Sequence, residues 1–252
     1  MTSLEETERV LKAHYIFDPA YKAFREKTTN LHVLGLRLPV IQKIEQAGFS
    51  FYPKKDEETL KEWDMIWNRS QIHEAMSLPL LYYRRHKQEL SPVHWKTMRT
   101  WIKRVENWEH ADSLCYLYSL LYEKYPDLVE PTFKQWNRSK NPWKRRASVV
   151  STIYYVRKNR KAPPIKIVLS LIEPLIQDKN PYVQKAIGWQ MREAYKLWPE
   201  EILLFLKKHL LDLPAITFSY ATEKLSKKEK KIFKRKRLFH RKTKDKQQIL
   251  GE

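Results

Sequence analysis

Glycine is almost missing from this chain, with 4 residues in 252. That excludes a sandwich of many tight hairpins, which need residues at positive φ, and it excludes Gly-rich phosphate loops. The one cysteine, Cys115, rules out an intrachain disulfide and any cysteine-cluster metal site. It sits in an apolar helical run and reads as a small buried side chain. No apolar run approaches the roughly 18–20 residues that cross a bilayer. The opening residues, Met1-Thr2-Ser3-Leu4-Glu5-Glu6, are acidic and polar, unlike a secretory signal. These absences predict a soluble intracellular protein with no membrane partner. His14, His32, His73, His86, His94, His110, His209 and His240 are scattered, with no His-Glu-x-x-His pair, so no metal site is expected.

Acid is scarce too: 29 Asp and Glu stand against 49 Lys and Arg, a formal net charge of +20. Residues 226–252 hold 12 cations and 3 acids, net +9, so the other 225 residues keep +11. A basic body, and not only a basic tail, points to a polyanion such as nucleic acid or an anionic membrane surface. The tail, with Lys227-Lys228-Glu229-Lys230-Lys231 and Lys234-Arg235-Lys236-Arg237, reads as a helical extension fading into a disordered arm. A nuclear import signal is the rival reading. The organisation expected is therefore a helical body over 1–225 and a basic extension over 226–252.

The body is written in helix signals. Ser3-Leu4-Glu5-Glu6 forms a capping box for a helix to about residue 15, and Asp18-Pro19 supplies a cap and an N1 proline for the next. Further helices are expected at 39–48, 56–68, 70–88, 92–105, 108–124, 127–138, 142–158, 164–177, 181–196, 199–210 and 214–226. Strand-like alternation is nearly absent, so the fold class is all-α. Four helices carry an alanine at a matching early position: Ala75, Ala111, Ala147 and Ala186, spaced 36, 36 and 39 residues apart. The last two also share their approach, Lys140-Asn141-Pro142-Trp143 against Lys179-Asn180-Pro181-Tyr182. A period near 40 with two helices per unit describes a curved α-solenoid of HEAT-like repeats, an α-α superhelix whose concave side suits a duplex.

Three stretches carry candidate chemistry. Lys185, Trp189 and Arg192 share one face of the helix that contains Ala186 and Gly188, whose small side chains imply close packing against a neighbour. Trp108 and Asp112 lie one turn apart, an aromatic plane beside a carboxylate; an ordinary helix aspartate paired with an arginine is the alternative. Trp143-Lys144-Arg145-Arg146 puts cations at a helix start, against the dipole, where they would suit a bound phosphate. The repeat register sets Arg146 two residues before the position matching Asp112, so spacing alone does not bring the two together.

These strings, Asn107-Trp108…Asp112, Trp143-x-Arg145-Arg146-Ala147 and Lys185-Ala186-Ile187-Gly188-Trp189-x-x-Arg192-Glu193, resemble the DNA alkylation repair family of AlkD-type glycosylases. The resemblance runs from Leu34-Gly35-Leu36-x-x-Pro39 to Ile216-Thr217-x-x-x-Ala221. It implies a monomeric HEAT-like enzyme without cofactor that removes N3- and N7-alkylated purines from double-stranded DNA. Position by position, it implies Asp112 as the catalytic carboxylate and Arg146 as its basic neighbour. Trp108 and Trp189 become the aromatic pair at the lesion, and Arg192 binds phosphate, with Lys185, Arg145 and Lys144 as further DNA contacts. A family tyrosine before the Leu-Gly motif falls on Glu26; Tyr21 or Phe24 replaces it only with a gap. A non-catalytic binder of damaged or branched DNA and a HEAT protein–protein scaffold are the competing functions. The expected location is the bacterial cytoplasm at the nucleoid, or the nucleus in a eukaryote.

Overall fold

Asparagine caps and N1 prolines start many of the helices, and they do so where the sequence puts them. The computed structural model describes residues 1–14, 18–153 and 161–250, with side chains through His240. Among these residues it contains α1 (Ser3–Ala13), α2 (Pro19–Glu26), α3 (Leu38–Ala47), α4 (Asp56–Arg69), α5 (His73–Arg85), α6 (Pro92–Trp101) and α7 (Trp108–Lys124). They are followed by α8 (Pro126–Asn137), α9 (Pro142–Val150), α10 (Ile165–Ile172), α11 (Pro181–Ala194), α12 (Pro199–Lys208), α13 (Ala215–Ala221) and α14 (Lys227–Leu250). The fold is all-α; extended pairing among the described residues is limited to an isolated bridge between His32 and Ile72. No helix among them is long and apolar enough to cross a membrane.

Two compact units divide the chain, Met1–Glu130 and Pro131–Glu252, whereas the change in composition falls at 225/226. In the first, α5 packs between α3 and α7, and α4 between α1 and α6. In the second, α11 packs between α9 and α13. The repeat alanines Ala75, Ala111, Ala147 and Ala186 are all at 0% exposure. Each therefore sits where its helix meets its neighbours, which is the packing reason for the period in the sequence.

Aromatic residues supply much of the first core. Phe49, Phe51, Tyr52 and Trp63 meet edge-on or stacked at centroid distances of 4.9–6.1 Å. Trp67 stacks on Trp101 at 5.1 Å, its Nε1 donating to the Trp101 carbonyl, while Trp101 Nε1 donates to Asp64. Both indole N–H groups are thus satisfied in the interior, which is what burying tryptophan requires.

Several expected boundaries shift for local reasons. The first capping box uses Thr2 and Glu5, not Ser3 and Glu6, because Glu6 is drawn away to the backbone N–H and hydroxyl of Ser50. α9 stops at Val150 instead of continuing to 158: the Thr152 hydroxyl folds back on the Val149 carbonyl, in a run rich in β-branched residues. The remainder of that expected helix, 154–158, lies outside the described residues, as does the first helix's expected end at 15. Pro174 breaks the helix expected over 164–177 into α10 and a short 3₁₀ turn. The tail continues as α14 to Leu250 where a fading arm was expected.

Gly188 explains the small residues of α11. A Cβ added there would lie 2.6 Å from Tyr220 Cβ and 2.7 Å from the Thr217 carbonyl oxygen, both on α13. α13 therefore rests directly on the α11 backbone, and the Thr217 hydroxyl donates to the Gln184 carbonyl beside the contact. Alanine is the better helix former by about 1 kcal/mol, but forcing a methyl into packed backbone costs about 1–3 kcal/mol. Gly188→Ala is expected to lose up to about 2 kcal/mol in urea unfolding; a variant more stable than the parent would refute the close approach.

Candidate functional site

Asn107 caps α7, its Oδ1 accepting from the His110 N–H at 2.9 Å. That cap sets Trp108 as the first helical residue and brings Asp112 onto the same face one turn later, where it is half-buried. Trp108 is 37% exposed, whereas Trp63, Trp67, Trp95, Trp101 and Trp136 are all at 5% or below. Its indole is thus more accessible than those five.

The Arg25 guanidinium of α2 lies 5.5 Å from the centre of the Trp108 ring, 5.0 Å from that of Tyr21 and 5.7 Å from that of Phe24. It is buried, and Glu109 neutralises it through contacts of 2.6 and 2.9 Å, while its Nε donates to the Tyr21 hydroxyl. Burial pushes the Glu109 carboxyl above its usual range, with Arg25 pulling the other way. The two residues offered for the family tyrosine's place differ in exposure. Phe24 is 54% exposed, and Tyr21 is half-buried with its hydroxyl taken by Arg25.

The segment after α2 is pinned by two more carboxylates. Buried Glu74 accepts from the N–H groups of Leu34, Gly35 and Leu36 at 3.1, 2.9 and 3.2 Å. Gly35 has φ +90°, the left-handed conformation that turns successive N–H groups toward one anion, and this is why glycine stands in that motif. Glu106 accepts from the N–H groups of Asn30 and Leu31 and from the Thr29 hydroxyl. Burial opposes its ionisation, yet those hydrogen bonds prevail and hold the carboxyl below its usual range.

Below Glu109, the His73 and His110 rings stack at 4.4 Å. The His110 ring nitrogens meet Asn107 Nδ2, the Ser77 hydroxyl and the His73 carbonyl, each at 3.1 Å. Burial drives the His110 imidazole well below its ordinary range. Burial and then the Arg25 charge push His73 down to about 4, even with a Glu109 oxygen 3.5 Å away. Both rings are neutral at physiological pH.

In the second unit, Asn141 and Asn180 cap α9 and α11 alike, each accepting from two backbone N–H groups. The Trp143 and Tyr182 rings lie 4.9 Å apart, and Lys185 Nζ stands 5.8 Å from the Tyr182 ring. Arg146 is buried and donates to the Tyr182 carbonyl at 2.5 Å. Arg145, expected at DNA, grips Asp178 through Nε at 2.5 Å and Nη2 at 3.1 Å, and donates to the Ser139 and Lys140 carbonyls. Its guanidinium staples the start of α9 to the turn before α11. Lys144 is half-buried beside it. On α11, Lys185, Trp189 and Arg192 are all half-buried, and Arg192 pairs with Glu193 and, at 2.6 Å, with solvent-facing Glu223.

The structure thus groups Trp108 and Asp112 on α7 beside α2, and Lys185, Trp189 and Arg192 on α11 beside α9. Sequence spacing did not reach Arg25, Glu109 or His73, since nothing local links position 25 to position 109; the cation among aromatics on α2 was the one available signal. Among the described residues, no group of three or more His, Cys, Asp or Glu is placed to hold a metal ion.

A family model described as DNA alkylation repair enzyme matches residues 8–225. Among solved structures, a predicted DNA alkylation repair enzyme from Enterococcus faecalis superposes with a TM-score of 0.72 at 15% identity, covering 84% of this chain and 98% of that one. AlkD2 from Streptococcus mutans gives 0.55 at 20% identity over 82% and 98%. The smu.31 protein from Streptococcus mutans UA159 gives 0.56 at 18% identity over 88% and 100%. At such identities the likeness speaks for the fold. No curated protein matches the chain.

Unfolding returns His73 to its ordinary value of 6.5, so between that pH and about 4 the unfolded chain takes up a proton that the folded chain refuses. Its contribution is complete above 6.5 and is lost as the pH falls, about 2 kcal/mol by pH 5. His73→Phe is therefore expected to flatten the fall in urea midpoint between pH 7.5 and pH 5. Equal slopes in parent and variant would exclude His73 as the acid-sensitive group.

Proposed function

The chain belongs to the DNA alkylation repair enzyme family, and from that premise we propose that it is a monofunctional DNA glycosylase acting as a monomer on N3- and N7-alkylated purines in duplex DNA. Family membership gives it DNA binding and a role in repair of alkylated DNA. The observation that carries the finer reading is the exposed Trp108 indole with the Asp112 carboxylate one turn along the same face.

Alkylation at N3 or N7 makes the purine cationic and already a good leaving group, so little acid assistance is needed. What the protein must supply is stabilisation of an oxocarbenium-like sugar and placement of a water, and one carboxylate near C1′ does both. Asp112 takes that role. Trp108 presents a ring face that packs the deoxyribose and favours its developing positive charge. Phe24 extends the aromatic surface beside Trp108, and Glu109 cancels the Arg25 charge that would otherwise repel a cationic lesion.

Arg192 reaches a phosphate by exchanging its bond to Glu223, a solvent-facing pair of the kind that contributes little. Lys185 and Lys144 add charge to the same surface. Arg145 serves by holding its loop, which leaves the phosphate contact on α9 to Lys144. Removal of the alkylated base leaves an abasic site for later enzymes.

Asp112→Asn is expected to slow release of 7-methylguanine from methylated duplex by at least about 100-fold, with duplex affinity by fluorescence anisotropy within a few-fold of the parent. Unchanged release would remove Asp112 from the chemistry. Tight binding by the parent with no free base from any methylated duplex would replace the enzyme by a non-catalytic binder of damaged DNA.

A further inference from the structure

The helix that follows the family-matched region is built to stay in place. Ser226 and Glu229 form a reciprocal capping box, Glu229 accepting from the Ser226 N–H at 2.9 Å while Ser226 Oγ accepts from the Glu229 N–H at 3.2 Å. Phe233 is buried. Arg237 donates to the carbonyls of Leu210 and Leu213 at 2.5 and 2.7 Å and lies 4.7 Å from the Phe218 ring centre. Phe233 and Arg237, one turn apart, define the docked face of α14; α13, which carries Phe218, lies against α11 at Gly188.

The rest of the helix surface is cationic. Lys227, Lys228, Lys231, Lys234, Arg235 and Lys236 are all exposed, and the one acid between 227 and 240, Glu229, is occupied by the cap. Lys227 and Lys231, Lys230 and Lys234, and Lys231 and Arg235 are like charges one turn apart, an arrangement that destabilises a helix in isolation. A docked helix that keeps such repulsion is relieved by a polyanion. At about 1.5 Å per residue its 24 residues run about 36 Å, close to one turn of B-form duplex.

We infer that α14 is a second DNA-contacting surface, which holds the phosphate backbone of the duplex away from the alkylated base and adds affinity without taking part in base release. It rests on the reading of the partner as duplex DNA, but not on the glycosylase chemistry. Phosphate contacts position a protein without reading sequence, so the contribution is the same for damaged and undamaged duplex.

The test is a six-site variant of the full chain, Lys227→Gln, Lys228→Gln, Lys231→Gln, Lys234→Gln, Arg235→Gln and Lys236→Gln, which leaves Phe233, Arg237 and the capping box intact. Binding to unmodified duplex is followed by anisotropy over a salt series. If about half of the six cations lie at phosphates, the slope of log K against log salt falls in magnitude by about 3, and affinity drops at least about 10-fold at 100 mM salt. Single-turnover base release at saturating protein stays within about two-fold. The melting temperature holds or rises, because like-charge pairs are removed. An unchanged slope and affinity would overturn the proposal, as would loss of binding to phosphatidylserine vesicles with duplex binding intact. Since the duplex is unmodified, failure of the enzyme to release any base sinks the glycosylase reading and leaves this one standing.

Discussion

A guanidinium withdrawn from water must keep its anion, and the site of the first unit depends on that condition. Arg25 is buried among three aromatic rings with Glu109 bonded to it twice. Leaving a buried charge without its partner typically costs about 3–5 kcal/mol, so α2 and the start of α7 are bound to move as one piece. The pair also sets the field at Trp108. The ring face is close to a cation whose charge is cancelled on the spot, so the surface offers π density without net positive potential.

One repeat position shows how a single geometry is reused with different chemistry. The residue before each repeat alanine is Glu74, His110, Arg146 or Lys185. Glu74 collects three backbone N–H groups of the preceding loop, His110 meets the carbonyl of His73 one repeat back, and Arg146 donates to the carbonyl of Tyr182 one repeat on. The buried members therefore stitch neighbouring repeats by hydrogen bonds to backbone groups of the adjoining repeat. Lys185, half-buried, turns the same position toward the surface.

The fold class, the repeat, most of the caps and the Trp108–Asp112 face were legible in the sequence because each is written within a few residues or in a fixed period. Gly188 belongs to this group: small residues implied a close neighbour, and α13 is that neighbour. Less legible was anything set by competition between distant partners. Thr2 takes the first cap from Ser3 because Ser50, far along the chain, claims Glu6. Arg145 reads as a phosphate contact, and nothing near it in the sequence announces its bond to Asp178. The different surroundings of Tyr21 and Phe24 follow from Arg25, which bonds the Tyr21 hydroxyl and is itself held by Glu109. The tail's composition announced its charge but not its docking, which rests on Phe233 and on Arg237 at two carbonyls of another turn.

Gly188 and Trp189 are consecutive, and this adjacency has a mechanical meaning. One residue of α11 bears directly on α13, backbone against backbone, and the next offers its indole on another face about 100° around the helix. With no side chain between α11 and its support, there is nothing compressible to absorb a displacement. The seat behaves as a hard stop, and its tolerance is passed to the tryptophan and, one turn on, to Arg192. A missing methyl group thus works as a gauge block for the face that carries Trp189 and Arg192.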